Sequence, residues 1–315
     1  MSRERVIALV GPTAAGKSEM AVELASALAA EIVSVDSRQV YRRLDVGTAK
    51  PDAVARARVP HHLIDVAEPD DPVDAARFAA LARAAIADVG ARGRRVVLCG
   101  GSGLYLRALT SGLCPAPPAD AGLRASLRAA VAERGAPALH GDLRALDPRA
   151  ADRISANDVP RIVRALEVAR LTGRPLSEWQ AGHAFGDRPY DVLTLVLSPP
   201  VDVLDERIAA RARAMWDGGL VEETEAVLAA GFAPELPPLR SIGYREAQLH
   251  LQGELEREAG IAATVVATRR YAKRQRTWFR SLADAVWLSG AEPARGVLAT
   301  AEGFLAGERG AAYVS

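Results

Sequence analysis

The chain has 315 residues, of which 49% are hydrophobic and 25% are charged, and its formal net charge is +1. This length and balance predict a folded protein of about two domains and exclude a chain that is largely disordered. No stretch approaches the ~18 consecutive apolar residues of a membrane span, and two cysteines exclude a disulfide framework. We therefore expect a cytoplasmic protein without a membrane partner, and the low net charge argues against coating of nucleic acid by bulk charge.

The first half of the chain alternates short apolar strands with helical segments. Residues 6–10 form an apolar run that ends in glycine, which is typical of a buried parallel strand. A helix is predicted over 18–30, a strand over 32–35, a second helix over 74–90 and a strand over 96–99. Strands that alternate with helices indicate βαβ units and a mostly parallel sheet.

The pattern changes after residue 111. The proline-rich segment 114–118 is typical of a linker, and 119–182 contains helical patterns without a convincing strand. Strands are predicted again over 192–197 and over 285–288. The simplest interpretation is a doubly wound domain that is interrupted by a helical insertion.

We therefore predict an α/β fold with a P-loop NTPase-like parallel sheet flanked by helices and an inserted all-helical subdomain. The predicted division is 1–115 for the first part of the core, 116–188 for the insertion, and 189–315 for the return to the core with a basic helical segment.

The segment after the first strand matches the phosphate-binding pattern G-x-x-x-x-G-K-[ST]. Glycines allow such a loop to wrap closely, so that backbone N–H groups and the helix N-terminus present positive charge to phosphate oxygens. Lys17 adds a point charge, and the Ser18 hydroxyl is placed to bind Mg²⁺. We predict that a phosphate-bearing ligand is bound by Gly11, Pro12, Thr13, Ala14, Ala15, Gly16, Lys17 and Ser18.

The phosphate loop alone does not identify the ligand. The chain contains three lysines, and none of them belongs to an Asn-Lys-x-Asp guanine-recognition motif, which argues against a GTPase. A small-molecule kinase stays open at this point, because short P-loop kinases begin with the same strand, loop and helix.

Further motifs closely resemble those of the tRNA dimethylallyltransferases, P-loop enzymes that prenylate an adenosine beside the anticodon. Each motif alone is short, whereas the ordered set is specific and spans about residues 5–290. The motifs are DSRQVY at 36–41, DVGTAKP at 45–51, HHLID at 61–65, GGSGLY at 100–105, RIVRALE at 161–167, IGYRE at 242–246 and YAKRQRTW at 271–278.

The resemblance implies a reaction and its main residues. The phosphate loop would bind dimethylallyl diphosphate, and the prenyl group would pass to the exocyclic amine of the adenosine 3′ to the anticodon in tRNAs reading codons that start with U. Asp36 would accept a proton from that amine, and Ser102 stands where the family commonly has threonine. Mg²⁺ on Ser18 is implied as cofactor, and Arg211 would lie near the diphosphate, with a solvated helix face as the alternative.

Asp36 has a second interpretation from the residues themselves. It follows a strand at the sheet edge where α/β proteins bind ligands, which favours a functional role. An Asp-Ser pair after a strand is also a good helix cap, and both roles stay open here.

The resemblance also implies contacts with the anticodon stem-loop of tRNA. Pro160 stands where the family usually has glutamine, so one amide contact is missing there, while Asp158 is a suitable cap for a helix with proline in its first turn. Basic residues near the C-terminus form one helical stripe that can follow a phosphate backbone. The expected tRNA-binding residues are Asp36, Ser37, Arg38, Gln39, Arg124, Pro160, Arg161, Arg164, Arg240, Arg245, Arg269, Lys273 and Arg276.

Other functions stay open beside this one. Prenyl transfer to free AMP or ATP, as in adenylate isopentenyltransferases, would need neither the helical insertion nor the basic stripe. A P-loop kinase predicts ATP turnover without a prenyl donor, and a non-catalytic RNA-binding protein would not need Asp36 and Ser102 beside the phosphate loop. Lys50 either contacts phosphate or belongs to a surface turn, and His61 and His62 are predicted to be structural. We expect a monomer.

Overall fold

The computed structural model describes residues 3–183, 186–282, 284–292 and 294–308. Six strands form one sheet in the order β3-β2-β4-β1-β5-β6, and all paired neighbours are parallel. The predicted α/β class with a parallel sheet is confirmed. The strands are β1 (Glu4–Val10), β2 (Ala30–Val35), β3 (His61–His62), β4 (Arg95–Gly100), β5 (Tyr190–Leu197) and β6 (Val286–Leu288).

Helices account for most of the remaining described chain, and they surround the sheet or form a separate group. In chain order they are α1 (Lys17–Ala27), α2 (Ala53–Arg58), α3 (Ala75–Ala91), α4 (Gly103–Ser111), α5 (Ala121–Arg134), α6 (Ala136–Leu146), α7 (Pro148–Ala151), α8 (Val159–Thr172), α9 (Leu176–His183), α10 (Val201–Asp217), α11 (Leu220–Ala229), α12 (Tyr244–Leu251), α13 (Arg257–Phe279) and α14 (Ala294–Ala306). None of the helices in the described ranges is both long and apolar enough to cross a membrane.

The central strand β1 is buried on both faces and divides the core into two layers. Val6, Ala8 and Val10 pack in a cluster with side chains of α3 and of α10–α13. Ile7 and Leu9 pack in a second cluster with side chains of α1 and α14. This alternation is the period-2 geometry of a strand covered by helices on both sides, and it explains why β1 is apolar throughout its buried length.

The chain divides into two compact units, one of residues 1–110 with 188–315 and one of residues 111–187. The described elements of the second unit, α5–α9, are all helical and have their own buried core, which includes Leu143, Ile162 and Leu166. Pro160 lies in the first turn of α8, and the Asp158 carboxylate accepts a hydrogen bond from the Arg161 N–H at 3.3 Å. The predicted cap and first-turn proline are confirmed.

The structure corrects the predicted end of one helix and specifies two features that the sequence left general. The predicted helix over 18–30 ends at Ala27, because Ala29 has a positive φ of 51° and Ala30 already belongs to β2. His62 hydrogen-bonds through Nε2 to Glu31 at 2.7 Å on the short strand β3. The segment after residue 290, for which the sequence offers no interpretation, contains α14, whose Val297 and Ala301 are buried.

Candidate active site

The phosphate-binding pattern forms a loop between β1 and α1 at the carboxyl edge of the sheet. The strand β5 lies directly beside this loop, and a Cβ atom on Gly11 would overlap the carbonyl oxygen of Leu197. Lys17 Nζ donates a hydrogen bond to the Pro12 carbonyl at 2.6 Å, and Arg207 donates to the Ala15 carbonyl at 3.2 Å. These two hydrogen bonds therefore hold the loop in a closed curve.

The Lys17 ammonium is buried, and this burial changes its protonation. Desolvation lowers the pKa of Lys17 to about 8, against smaller opposing effects from nearby acidic groups. Cys99 lies next to it, with Sγ 3.8 Å from the Lys17 carbonyl oxygen, and burial raises the pKa of this thiol to about 11. The cysteine is thus neutral at pH 7, and it leaves the positive charge of Lys17 free to attract an anion.

Asp36 holds the turn after β2 and also lies in the cavity wall. Its Oδ1 accepts hydrogen bonds from the N–H groups of Arg38 at 2.8 Å and Gln39 at 3.3 Å, which holds the turn after β2. In the described part of the chain, the hydrogen bonds assigned to Asp36 all use Oδ1, and the residue lines the cavity in front of the phosphate loop. Oδ1 is therefore engaged in holding the turn, whereas Oδ2 takes no part in these two hydrogen bonds.

Ser102 lies next to this turn and is hydrogen-bonded to it. Its Oγ accepts a hydrogen bond from the Ser37 N–H at 3.0 Å, and the Ser102 N–H itself donates to the Val35 carbonyl at 3.2 Å. Gly101 forms part of the cavity wall, whereas Ser102 lies beside it. Besides accepting from Ser37, the Ser102 hydroxyl shares a side-chain hydrogen bond with Tyr271.

A cavity of about 430 Å³ joins these groups. Helix α10 contributes Ile208, Arg211, Ala212 and Met215, which recur at helical spacing on one face. Helix α13 contributes a second face in the same way, with polar side chains one turn apart. The α13 side chains in the wall are Thr264, Thr268, Tyr271, Arg274 and Gln275.

The cavity wall has a positively charged part and an apolar part. Arg211 is half-buried, and desolvation lowers the pKa of its guanidinium, although the group stays protonated at neutral pH. Ile208, Met215 and Ile242 supply apolar surface to the same cavity. The arrangement therefore suits a ligand with a strongly anionic part and a small apolar part, next to a carboxylate base.

Comparison with known proteins assigns this architecture to a family. The IPP transferase family model matches residues 39–282. The chain is 54% identical over 285 residues to a tRNA dimethylallyltransferase of Anaeromyxobacter dehalogenans, covering 90% of this chain and 95% of the relative. It is 45% identical over 302 residues to one of Geobacter metallireducens, covering 96% and 98%.

The chain belongs to the IPP transferase family, that of the tRNA dimethylallyltransferases. A full-length tRNA isopentenylpyrophosphate transferase from Bacillus halodurans is similar in structure, with a TM-score of 0.71, 37% identity and coverage of 97% of both chains. A eukaryotic dimethylallyltransferase that acts on tRNA has a TM-score of 0.82 at 24% identity, covering 96% of this chain and 80% of the other, and this likeness concerns the fold.

The structure brings only some of the residues expected in a tRNA dimethylallyltransferase to the cavity. Thr13, Lys17, Ser18, Arg211 and Arg240 line it, together with the turn 36–39. Gln39 is engaged within the protein: its amide donates to the carbonyls of Thr48 and Ala49 and accepts from Ser34. The remaining expected tRNA-binding residues of this unit, Arg245, Arg269, Lys273 and Arg276, lie outside the cavity wall. So do the other expected residues of the phosphate loop and Ser102, that is Gly11, Pro12, Ala14, Ala15, Gly16 and Ser102.

The basic residues of α13 differ in their surroundings. Lys273 and Arg280 are exposed, while Arg269 is exposed and also pairs with Asp205 at 3.3 Å. Arg276 is half-buried, and its buried Nε has no hydrogen-bond partner in the described part of the chain. The stripe is therefore uneven: within the described ranges, Lys273 and Arg280 have no ion pair, and the other two positions carry a paired or a partly buried arginine.

The expected tRNA-binding residues of the helical unit surround one buried carboxylate. Glu167 is fully buried and pairs with Arg124 at 2.9 Å and Arg164 at 2.6 Å. These hydrogen bonds hold the pKa of Glu167 low although burial acts to raise it. Arg161 is more exposed and pairs with Asp158 at 3.1 Å. Arg124 and Arg164 thus have a structural partner of their own.

Two side chains of the site are missing from the sequence prediction. Gln275 bridges the phosphate loop and the loop after β4, and Glu223 accepts hydrogen bonds from three successive N–H groups, those of Asp45, Val46 and Gly47. For Lys50 the sequence left open a phosphate contact or a surface turn. Its side chain is buried and donates hydrogen bonds to the Tyr41 carbonyl and to the carboxylates of Asp45 and Asp65. The sequence signal that could have identified Gln275 and Glu223 is a polar residue within an otherwise apolar face of a helix.

Glu223 also accepts a hydrogen bond from the Tyr244 hydroxyl at 2.6 Å, so that it fastens the 45–47 loop to α12. We expect Glu223→Gln to lower the free energy of unfolding by about 1–3 kcal/mol, because charge-assisted bonds to these donors are lost. Urea unfolding measures the loss. The neighbouring exposed Glu222→Gln is the control, and an equal loss in both variants would contradict the role of Glu223.

Proposed function

We propose that this protein transfers a dimethylallyl group from dimethylallyl diphosphate to the exocyclic amine of an adenosine 3′ to the anticodon in tRNA. The observation that carries the proposal is the common cavity: Lys17 and Ser18 of the phosphate loop line the same 430 Å³ space as the Asp36 carboxylate. Family membership supports the same reaction, since the relatives compared above are named for it.

The donor is bound by its diphosphate. Allylic C–O cleavage transfers an electron pair to the leaving diphosphate, and Lys17, Arg211 and the N–H groups of the loop stabilise that charge as it develops. Ile208, Met215 and Ile242 supply an apolar wall for the five-carbon group. Because charge accumulates on the leaving group in the transition state, these contacts act more strongly there than on the bound substrate.

The acceptor amine reacts at the Asp36 side of the cavity. The nitrogen forms the new C–N bond as the C–O bond breaks, and its proton passes to Oδ2 of Asp36. An adenine amine is a poor nucleophile, so a positioned base contributes during the attack. The Ser102 hydroxyl, fixed by Ser37, orients the amine. A base inside a stacked loop must be extruded to reach this cavity.

The donor set suits Mg²⁺. The Ser18 hydroxyl is a hard oxygen donor in the cavity, and Mg²⁺ is commonly bound by one or two protein oxygens together with substrate phosphates. Ser18 would hold the ion, and its chemistry would be charge neutralisation on the diphosphate.

Incorporation of radiolabelled dimethylallyl diphosphate in the presence of Mg²⁺ tests the proposal. The acceptors are an anticodon stem-loop RNA, free AMP and free ATP. Label in the RNA alone is the expected result. Label in a free nucleotide would instead assign an adenylate isopentenyltransferase, and ATP turnover on a small hydroxyl substrate without label transfer would assign a kinase.

RNA binding is expected to depend on the exposed cations of α13. The double variant Lys273→Gln/Arg280→Gln should weaken stem-loop binding and reduce the slope of log K against log salt by about one per lost phosphate contact. Arg213→Gln/Arg257→Gln removes the same charge from ion-paired positions and is the control. An unchanged slope in the first variant would show that α13 is only a solvated face.

A further inference from the structure

One face of α13 holds the loop that follows β4. Tyr271, Gln275 and Trp278 recur at helical spacing, and their partners are consecutive in the loop. A Cβ atom on Gly101 would overlap the Gln275 amide nitrogen, and one on Gly103 would overlap the Trp278 indole. A side-chain hydrogen bond joins Tyr271 to Ser102, whose residue lies between the two glycines.

Gln275 uses both ends of its amide between two different loops. Its Oε1 accepts a hydrogen bond from the Thr13 N–H of the phosphate loop at 2.9 Å. Its Nε2 donates to the Gly101 carbonyl at 2.9 Å, one residue before Ser102. The side chain is 6% exposed, so neither bond is replaced readily by water. The Gln275 amide thus forms a buried link of fixed length between the two loops, which we call the strut.

The two loops that the strut joins hold the two reacting partners. The phosphate loop holds the diphosphate, and the 101–103 loop carries Ser102, which contacts the Asp36 turn through Ser37. The distance between them decides how closely the amine approaches the allylic carbon, and a displacement of about 1 Å costs about 10²-fold in rate. Only a side chain that both accepts and donates satisfies Thr13 and Gly101 together.

We propose that Gln275 is a positioning residue that sets the separation of the phosphate loop and the 101–103 loop for transfer. This inference rests on the proposed function. Gln275 lies in the cavity wall, and the inference places its effect in its bonds to Thr13 and Gly101. Lys273 of the same helix and Arg280, its C-cap residue, are exposed and Gln275 is buried, so a change at Gln275 should leave RNA binding intact.

Gln275→Glu tests the strut through its protonation. The ionised carboxylate still accepts from Thr13 but repels the Gly101 carbonyl, whereas the protonated carboxyl group accepts and donates like the amide. We expect kcat to fall about 10²-fold at pH 8 and the ratio of variant to wild-type kcat to recover about tenfold or more toward pH 5. Titration of Lys17, Cys99 and Tyr271 occurs in both proteins, and comparison with Gln275→Leu separates it from titration of the introduced carboxyl group.

Two further variants complete the experiment. Gln275→Leu removes both bonds and should give a low ratio that does not change with pH. Gln252→Glu adds the same charge at an exposed position of the neighbouring segment and should behave as wild type at every pH. A ratio for Gln275→Glu that stays flat, or recovers equally in Gln275→Leu, would overturn the inference.

A double-mutant cycle provides an independent test if Gln275→Glu does not fold. Gly101→Ala should lower kcat in the wild-type background, because its Cβ displaces the strut, and should cost little more in a Gln275→Ala background. Fully additive losses would contradict the strut. Absence of label transfer to RNA by the wild-type protein would refute the proposed function itself, whereas wild-type transfer with a flat ratio would refute this inference alone.

Discussion

Asp36→Asn is expected to lower kcat by about 10²- to 10⁴-fold while the affinities for stem-loop RNA and dimethylallyl diphosphate stay near those of the wild type. The asparagine side-chain carbonyl still accepts from the N–H groups of Arg38 and Gln39, so the turn after β2 is kept. The substitution removes the carboxylate oxygen Oδ2, which accepts the proton of the adenosine amine in the proposed reaction. Single-turnover transfer measured beside RNA binding separates these effects.

Asp52→Asn is a matched control for this substitution. Asp52 caps α2 in the same way, with its carboxylate accepting from the Ala55 N–H at 2.8 Å, but it does not line the cavity. We expect its kcat to equal that of the wild type. A wild-type kcat in Asp36→Asn would show that Asp36 takes no part in the reaction and only stabilises the turn after β2.

Lys17→Met is expected to lower kcat/KM for dimethylallyl diphosphate by about 10²- to 10³-fold, because a donor directed at the developing negative charge is lost. The pKa of Lys17 is lowered to about 8 by desolvation, so the cation is present below that pH and is lost as pH rises through it. The wild-type affinity for the diphosphate should therefore weaken above about pH 8.

Calorimetric titration with dimethylallyl diphosphate from about pH 7 to about pH 9, one unit on either side of the Lys17 pKa, follows this loss. The affinity of Lys17→Met should be low and should lack the decrease near pH 8. Lys273→Met removes an exposed lysine and should leave the diphosphate affinity and its pH profile unchanged. A wild-type affinity that stays constant across this range would show that the Lys17 charge does not contribute to binding.

Local sequence was sufficient for the parts of the site that are built from consecutive residues. The phosphate loop depends on a strand, a glycine-rich turn and a helix start within 20 positions or so, and the pattern determines all three. The strands β1, β2, β4 and β5 are apolar runs with clear ends, so the parallel sheet could be predicted as well. The capping residue Asp158 and the first-turn Pro160 are equally local features.

Contacts between distant segments could not be predicted from one sequence. Glu223 binds N–H groups of the 45–47 loop, and Gln275 joins Thr13 to Gly101, although no periodicity connects these positions. On α13 the spacing predicted a continuous basic stripe. Tertiary packing changed that stripe, because Asp205 from α10 pairs with Arg269 and Arg276 is half-buried.

Product analysis on a stem-loop RNA tests the central claim most directly. The wild-type protein is incubated with dimethylallyl diphosphate, Mg²⁺ and two stem-loops that differ only in the nucleotide 3′ to the anticodon, which is adenosine in one and inosine in the other. We predict N6-dimethylallyladenosine at that nucleotide, with one diphosphate released per modified RNA, and no product from inosine, which lacks the exocyclic amine. Diphosphate release without RNA modification, or equal modification of both stem-loops, would contradict the account.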